Sequence, residues 1–264
     1  MPPIYTAENV KVIHRLHYCW SGWLKERSGS FPRTLGAAFE QCRDAWKDDG
    51  LELEHWNTDA DQLQCLVAAQ PGISPVTCCA RIKGRLQHAL RKLGTPTAFS
   101  RKVGFRSLGE NTREIVAAYV ARQADKSDYV DDRFKDWLDR FRIAEPECLT
   151  EPTISAHGRY WYNLHLVVVV ADRRYPMTRR ETFHTLRSEM LRIAQESDCG
   201  IGSLAPMPDH VHAALRGDIR QSPLELALTF LNGLANALGR NRCWSQEVYT
   251  GTFSEYEVAR VVGQ

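Results

Sequence analysis

The sequence predicts an α+β fold of two tandem ferredoxin-like or RRM-like domains, which together form a pseudo-twofold dimer within one chain. Three observations carry this prediction. The chain repeats its pattern at a constant offset of 148 positions, and each copy reads β-α-β-β-α-β followed by a helix. That order is typical of an antiparallel sheet with helices on one face. With 264 residues, 43% of them apolar, the chain is long enough for each copy to bury a core.

The repeat aligns elements of the same type in the same order, which chance matches would not preserve. It places Ser74-Pro75 on Ser222-Pro223, so two helix starts coincide. We therefore expect a first domain over residues 1–125, a linker over 126–157 and a second domain over 158–264. Further matches at this offset are Leu16-His17 with Leu164-His165, Asp61 with Asp209, Phe105 with Phe253, and Leu86, Ala89 and Leu90 with Leu234, Ala237 and Leu238.

The first copy alternates strand and helix patterns. Residues 10–23 have the aromatic and β-branched bias of one strand. Pro32 opens a helix over 32–46, whose apolar residues recur at helical spacing. Ser74-Pro75 begins a second helix that runs to Leu93. The other elements are strands over 51–56, 63–69 and 102–108, and a third helix that starts at Asn111–Glu114 and runs from Ile115 to about Gln123.

The second copy and the linker follow the same reasoning. We expect strands over 160–171, 200–204, 210–215 and 248–253, and helices over 178–197, 222–238 and from Ser254 onward. Residues 128–142 predict a linking helix that docks by an apolar stripe, and residues 145–158 a flexible segment. The stripe consists of Val130, Phe134, Trp137, Leu138 and Phe141.

Composition narrows the class of protein. The net charge of +2 does not by itself indicate nucleic acid, and no apolar stretch approaches the ~20 residues needed to span a bilayer. The N-terminal Met-Pro-Pro-Ile-Tyr lacks a secretory signal layout, so a cytoplasmic protein is expected. The eight cysteines contain no Cys-x-x-Cys pair, which favours reduced, mostly buried thiols over a disulfide scaffold or zinc ribbon.

The most informative segment is residues 207–215, Met-Pro-Asp-His-Val-His-Ala-Ala-Leu. In a strand, residues i and i+2 point to the same face, so His210 and His212 can share one divalent metal while Val211 enters the core. Two packed imidazoles are the alternative. Asp209 points away from the histidines by strand alternation, so a turn or supporting role is favoured over a ligand role.

In the first copy, the repeat offset places Gln62 and Gln64 at the histidine positions. Neutral amides are poor substitutes for imidazole, so we expect a degenerate second site there. His17 and His165 occupy matching positions at the offset, and only one copy keeps the metal motif. A core role is therefore favoured for both.

The motif Met-Pro-Asp-His-Val-His with the apolar residues after it resembles the HUH motif of the TnpA single-strand tyrosine transposases, including the REP-associated kind. The layout behind it also agrees: a Ser-Pro-capped helix, Trp244-Ser245, a short strand and a helix. The resemblance covers the second copy fully and the first in degenerate form. It implies DNA cleavage and strand transfer through a 5′-phosphotyrosine intermediate, with Mg²⁺ or Mn²⁺ as cofactor.

Such enzymes carry the nucleophilic tyrosine on the helix after the last strand, with a polar metal ligand one turn further on. Among the nine tyrosines, only Tyr119 has a glutamine four residues later, Gln123. Residues i and i+4 share one helix face. The resemblance thus implies Tyr119 as nucleophile and Gln123 as a metal ligand beside His210 and His212. A packing role for Tyr119 is the alternative, and Tyr249 and Tyr256 are rival nucleophiles in the histidine copy.

A tyrosine of the second copy would fall near positions 265–267, past Gln264, and a longer chain could carry it. In the sequence as given, the copy with histidines lacks this tyrosine and the copy with the tyrosine lacks histidines. In the insertion-sequence branch of the family, each site combines the histidines of one subunit with the tyrosine of the other. This chain resembles such a dimer fused head to tail, which predicts one composite site formed in trans.

The resemblance implies single-stranded DNA as partner, specifically hairpin ends of a mobile element, and no membrane. It also implies a monomer that acts as an internal pseudodimer at the nucleoid. Basic clusters suit phosphate contacts, although most such runs are solvated faces. Trp20 or Trp161 would stack bases. The DNA-binding candidates are Arg81, Lys83, Arg85, Arg91, Lys92, Arg173 and Arg174.

Two other functions stay open at this stage. A domesticated nicking enzyme in replication or repair would carry the same residues and differ only in genomic context. A catalytically inactive protein that binds single-stranded or hairpin DNA would show wider decay. The presence of His210, His212, Tyr119 and Gln123 together argues against such decay, because random loss would rarely spare all four.

Overall fold

A computed structural model describes residues 2–26, 29–126, 132–173, 177–239 and 243–258, and the structural statements here concern these residues. The strands are β1 (Lys11–Arg15), β2 (His17–Leu24), β3 (Leu51–Asp59), β4 (Gln62–Ala69), β5 (Phe99–Leu108), β6 (Ile143–Ala144), β7 (Thr153–Ser155), β8 (Gly158–Trp161), β9 (Asn163–Val170), β10 (Gly200–Pro206), β11 (His210–Arg216) and β12 (Trp244–Thr252). The α-helices are α1 (Leu35–Asp48), α2 (Pro75–Lys92), α3 (Arg113–Ala121), α4 (Asp132–Asp139), α5 (Arg180–Glu196) and α6 (Pro223–Ala237).

Two sheets form, and their central strands follow the same order. The N-terminal sheet has the order β3-β4-β2-β5-β8-β7, and the C-terminal sheet has the order β1-β12-β9-β11-β10-β6. Four consecutive strands of the first, β3-β4-β2-β5, correspond in order and direction to β10-β11-β9-β12 of the second. The predicted α+β class is confirmed, and the shared order is what a duplicated unit would produce.

Each sheet also receives a strand from the other half of the chain. β1 pairs with β12 in parallel, whereas β2, which follows after one residue, lies in the N-terminal sheet. β8 likewise pairs with β5 in parallel, and β9 continues into the C-terminal sheet. The single strands expected over 10–23 and 160–171 are therefore wrong, and the sheets are mixed rather than purely antiparallel. A continuous run of apolar and β-branched residues suits either sheet. Its pattern therefore does not show where the chain passes from one sheet to the other.

The strand register shows that one match made by the repeat offset, that of His17 with His165, is wrong. His212 lies opposite Val167, and Gln64 lies opposite Ser21, so Ser21 and Val167 are equivalent although 146 positions separate them. By the same ladders His165 matches Cys19. His17 and His165 are therefore not structurally equivalent, because the offset of 148 holds at the histidine motif but not along the first strand.

The paired helices cover one face of each sheet. α1 and α2 pack on the N-terminal sheet, where Trp20 is fully buried, and α5 and α6 pack on the C-terminal sheet. Trp20 is therefore a core residue and not a stacking platform for DNA. Both predicted helix starts are confirmed: Ser74 caps α2, and Ser222 forms a capping box with Glu225 at α6.

The linker is more ordered than the sequence suggested. α4 and the turn after it pack apolar residues against the C-terminal core: Leu138 of the helix and Phe141 beyond its end are buried, while Val130 lies outside the described residues. The segment 145–158, expected to be flexible, contains a 3₁₀ helix over Pro146–Leu149 and strand β7. Leu149 is buried on the C-terminal sheet, and β7 extends the N-terminal sheet. The linker thus contributes to both sheets.

The end of the second copy also differs from the prediction of a helix from Ser254. Residues 254–257 form bends and isolated bridges, Val258 is helical, and the rest of the predicted helix lies outside the described residues. Of the eight cysteines, expected to be mostly buried, Cys42, Cys65, Cys78 and Cys79 are buried and the other four are half-buried. Within the described part of the chain, none of the helices combines the length and apolarity needed to cross a bilayer.

α3 lies on the face of the C-terminal sheet opposite to α5 and α6. Its Val116 and Val120, one turn apart, pack with Ala205 of β10, Ala214 of β11 and Phe253. Thr112 caps the helix through its side chain, which accepts a hydrogen bond from the backbone N–H of Ile115. A helix from the N-terminal half is thereby fixed over the strand that carries the histidine motif.

At Gly109, shortly before α3 begins, the backbone passes very close to the backbone of Thr252 and Phe253. A Cβ atom there would overlap the carbonyl oxygen of Thr252 and lie 3.0 Å from the Cα of Phe253. We expect Gly109→Ala to lower the free energy of unfolding by about 1–3 kcal/mol, because the backbones would have to separate. Gly84→Ala is the matched control. No atom lies within 4 Å of a Cβ at Gly84 in α2, so it should stabilise by ~0.5–1 kcal/mol. Urea denaturation of both variants tests this, and equal midpoints would contradict it.

Candidate active site

The histidine motif lies on β11, at the centre of the C-terminal sheet. Val211, Ala213 and Leu215 point into the core formed with α5 and α6, as strand alternation predicts. His210 and His212 point to the opposite face, where α3 lies. Their ring centroids are 4.7 Å apart, with the ring planes at 86°. This distance allows both rings to approach one cation.

A side chain holds the Nδ1 atom of each ring. Nδ1 of His210 lies 2.6 Å from Oδ1 of Asp209, and Nδ1 of His212 lies 3.0 Å from Nε2 of His165. Metal-binding histidines are commonly oriented in this way, with one ring nitrogen held by a neighbour and the other directed to the metal. Asp209 thus turns toward His210 and not away from the histidines as predicted, because it precedes β11 and does not follow the alternation of that strand. Nε2 is the atom with which either histidine would ligate a metal.

His165 is the site residue that sequence reasoning missed. Its ring stacks on His212 at a centroid distance of 5.2 Å, and it also contacts Tyr119 and Tyr249 edge-on. Burial lowers the pKa of His165 to about 4, so the ring is neutral at physiological pH. The expected core role is thus incomplete. The available signal was a lone histidine in an otherwise apolar strand, Leu-His-Leu-Val-Val-Val-Val, next to the histidine motif.

The structure brings Tyr119 from the N-terminal half to this site. α3 presents its ring, which is 40% exposed, at 5.3 Å from the His212 ring and 6.0 Å from the His165 ring, measured between centroids. Both contacts are edge-on. Tyr119 therefore combines access to solvent with direct contact to the histidine cluster, which a tyrosine serving only to fill a core would not need.

Gln123 lies just after α3 and not within it, because the helix ends at Ala121. Its side chain is buried and turns back, so that Nε2 donates a hydrogen bond of 2.9 Å to the backbone oxygen of Tyr119. This bond fixes the amide beside the tyrosine and leaves Oε1 as the atom suited to a metal. The approach of this amide to the Tyr119 hydroxyl and to the two histidines stays a prediction.

A cavity of about 450 Å³ lies between α3 and the sheet. Tyr119, His165, His212 and Tyr249 line it, together with apolar residues of α3. Tyr249, one of the rival nucleophiles, lies on β12 at 5.8 Å from His165, and burial raises the pKa of its hydroxyl. Tyr256, the other rival, lines a different cavity on the N-terminal sheet.

The residues present fit a divalent cation. Among the described residues, no three His, Cys, Asp or Glu side chains are grouped so that they could hold a metal. A metal at His210 and His212 would therefore need a neutral oxygen ligand, and the Gln123 amide is of that kind. Two imidazole nitrogens with an amide oxygen and water suit an ion that accepts both nitrogen and oxygen ligands. The ligand set stays a prediction.

The two glutamines predicted to mark a degenerate second site lie in the N-terminal half of the chain. Gln62 and Gln64 lie on β4 of the N-terminal sheet, and Gln64 borders the cavity that Tyr256 lines.

Three of the DNA-binding candidates lie on α2 and have partners within the chain: Arg81 and Arg85 pair with Asp49, and Lys83 donates to the backbone oxygen of Ser100. Arg91 and Lys92 are exposed, Arg174 lies outside the described residues, and the structure describes only the backbone of Arg173.

The sequence of the second half matches a known protein family. Residues 159–261 match the family model described as "Transposase IS200 like", so this part of the chain is similar to the IS200-like transposases. The matched range includes β9, β11, β12 and both histidines of the motif. No curated protein matches the sequence.

Three solved structures are similar at low identity. A REP-associated tyrosine transposase bound to a REP hairpin has 13% identity and a TM-score of 0.32, and the match covers 38% of this chain and 61% of that one. A transposase candidate from Deinococcus radiodurans R1 has 18% identity and a TM-score of 0.33, with 42% and 92% covered. An unknown protein from Galdieria sulphuraria has 12% identity and a TM-score of 0.20, with 90% and 97% covered. The similarity to this family rests on the sequence match of residues 159–261.

Proposed function

We propose that this chain, whose residues 159–261 match the model of the IS200-like transposase family, is a metal-dependent single-strand DNA transposase with one composite active site. The observation that carries the proposal is the contact between Tyr119 and His212, whose ring centroids are 5.3 Å apart. The tyrosine comes from the N-terminal half and the histidine from the C-terminal half. A site formed in trans between two subunits is thereby available within one chain.

Tyr119 is the nucleophile of the proposed reaction. Its hydroxyl oxygen attacks the scissile phosphorus, a bond forms between that oxygen and phosphorus, and the bond from phosphorus to the 3′ oxygen breaks. The phenolic proton is lost and the leaving 3′ oxygen gains a proton, so the products are a 5′-phosphotyrosine and a free 3′ hydroxyl. The phosphodiester energy is retained. A 3′ hydroxyl of another strand can therefore reverse the step, which gives strand transfer without ATP.

His210, His212 and Gln123 are proposed to hold Mg²⁺ or Mn²⁺. The bound ion would supply Lewis-acid stabilisation of charge on the phosphate oxygens. The protein's own contribution is orientation: Asp209 and His165 hold the two imidazoles by their Nδ1 atoms, and Tyr119 contacts the held ring of His212. The Gln123 amide is tied to the backbone of Tyr119, so ligand and nucleophile would keep a fixed relation.

The proposed partner is single-stranded DNA with hairpin ends of a mobile element. The cavity at Tyr119 has a volume of about 450 Å³ and lies beside an exposed tyrosine, which suits a phosphodiester segment better than a buried small molecule. We further propose that the chain acts as a monomer at the nucleoid in the cytoplasm, because both halves of a site are already present in it.

Covalent capture tests this function. Protein with Mn²⁺ and labelled single-stranded DNA from the ends of its own element should give a band of increased mass on a denaturing gel. Digestion and mass spectrometry should then locate a nucleotide on the peptide that contains Tyr119. If DNA binds and no covalent band forms with such ends, the transposase proposal is wrong and a binding protein remains.

His165 is proposed as a positioning residue, since it contacts the metal ligand His212 and not the metal. We expect His165→Ala to weaken Mn²⁺ binding by about 10- to 100-fold, because the His212 ring loses its Nδ1 partner. His165→Gln can restore a hydrogen bond to Nδ1 and should recover part of the affinity. Isothermal titration with Mn²⁺ measures both variants.

The matched control is His17→Ala. His17 is also a strand histidine, but it pairs with Glu54 in the N-terminal half. Its removal should leave Mn²⁺ affinity unchanged. An affinity of His165→Ala equal to that of the wild type would show that His212 does not depend on this contact.

A further inference from the structure

A second cavity lies on the outer face of the N-terminal sheet, the face turned away from α1 and α2. Its volume is about 420 Å³, within the range of small-ligand sites. Gln64, at the position equivalent to His212, lies in its wall. The copy that lacks the metal ligands thus keeps a cavity where the other copy has its histidines.

A layered stack of flat groups forms one wall. The guanidinium carbon of Arg106 lies 4.0 Å from the centre of the Trp161 ring and 5.4 Å from that of Tyr256. Nε1 of Trp161 donates a hydrogen bond of 3.1 Å to the backbone oxygen of Thr150, which fixes the plane of the indole. Aromatic faces and guanidinium planes are the groups on which proteins stack nucleobases.

The opposite side of the cavity offers hydrogen-bonding groups. Asn57 and Gln64 are exposed and line it, as does the ring of His55. A carboxamide both donates and accepts hydrogen bonds, which matches the mixed donors and acceptors along the edge of a base. Stacking surface on one side and amides on the other is the arrangement that recognises a flat heterocycle.

Charge favours a base over a phosphate as the bound group. Among the described residues, Arg106 is the only Lys or Arg that lines the cavity, and its guanidinium already pairs with Glu255. A phosphate would have to displace that carboxylate or lie beside it. An uncharged base meets no such repulsion and can extend the stack of Trp161 and Arg106.

We propose that this cavity binds an unpaired nucleobase of single-stranded DNA, apart from the composite site. The inference rests on the proposed function only in taking single-stranded DNA as the ligand. Trp161 ends β8, and β9, which follows after one residue, carries His165. A base held there would keep a strand attached to the same molecule while another segment reaches Tyr119.

Binding without metal tests the proposal. A short fluorescein-labelled oligothymidylate is titrated in EDTA, so that the metal site does not contribute, and fluorescence anisotropy gives the dissociation constant. We expect Trp161→Ala to raise it about tenfold, equivalent to ~1.4 kcal/mol of lost stacking. Gln64→Ala, an exposed substitution that should not disturb folding, should raise it about threefold. Ile154→Ala is the control, because Ile154 is 74% exposed on the neighbouring β7 and does not line the cavity.

Photocross-linking supplies a direct readout that folding defects do not imitate. An oligonucleotide containing iodouracil should attach to the peptide with Trp161 or Tyr256 in the wild type. Unchanged affinity in both cavity variants, or cross-links only elsewhere, would overturn the proposal. If the cross-link forms at the cavity but no covalent Tyr119 adduct forms with Mn²⁺, the transposase function fails while the base site stands.

Discussion

Tyr119→Phe is expected to form no covalent DNA adduct while it binds single-stranded DNA as tightly as the wild type. The substitution removes the hydroxyl oxygen, which is the only atom of this side chain able to attack phosphorus. It keeps the ring that contacts His212 and His165 edge-on, so the packing of α3 on the sheet should persist. Removal of a nucleophile typically costs several orders of magnitude in rate, so we expect at least about a thousandfold loss on the denaturing gel.

The controls for this experiment are the two rival tyrosines. Tyr256→Phe should leave the adduct unchanged in amount, because Tyr256 lies at the cavity of the N-terminal sheet and not at the histidines. Tyr249→Phe is the more demanding comparison, since Tyr249 lines the same cavity as Tyr119 and contacts His165. An adduct that survives Tyr119→Phe and disappears in Tyr249→Phe would move the nucleophile to β12. The site would then belong to one half alone, and the trans arrangement would be wrong.

Local sequence signals predicted the elements well where they act within a few residues. Ser74-Pro75 and Ser222-Pro223 begin α2 and α6 because the serine side chain caps the free backbone N–H groups and proline favours the first turn. The alternation around His210 and His212 gave the correct faces of β11, because strand periodicity is set by backbone geometry. The α+β class follows from these local patterns.

Contacts between distant segments were harder to predict. Residues 10–23 contain two strands that belong to different sheets, and their side chains satisfy either environment equally well. The ladders also shift relative to the repeat: the pairing of β4 with β2 and of β11 with β9 makes Ser21 equivalent to Val167, 146 and not 148 positions apart. A shift of two residues keeps every side chain on its face, so hydrophobic patterning cannot detect it. This is why His165 was equated with His17 and not recognised beside His212.

The pairing of Tyr119 with the histidines depends on these distant contacts. The parallel pairing of β1 with β12 and of β8 with β5 joins the two halves, and Gly109 allows the strand ends to approach. α3 is thereby held against β10 and β11 of the other half. The sequence suggested this partnership through the absence of the histidines from the copy that carries Tyr119, whereas the structure shows the strand pairing and the packing that bring Tyr119 to them.

His210→Ala is expected to abolish metal binding and DNA cleavage together. The imidazole is one of the two proposed nitrogen ligands, and alanine supplies none. In the wild type, Mn²⁺ at about a hundred times its dissociation constant should add ~2.7 kcal/mol to the free energy of unfolding, because the ion binds only the folded state. Thermal denaturation with and without Mn²⁺ should show this increment in the wild type and lose it in the variant.

Gln62→Ala is the matched control, since Gln62 occupies the position of His210 in the first copy and lies on β4 of the other sheet. It should retain both the Mn²⁺-dependent increment and the Tyr119 adduct. The increment and the adduct are separate readouts, so their joint loss in His210→Ala would tie metal binding to the chemistry. Cleavage that persists in His210→Ala without the increment would mean that catalysis does not use a metal held by this pair. An increment that disappears only in Gln62→Ala would place the metal in the N-terminal half and reverse the assignment of the two copies.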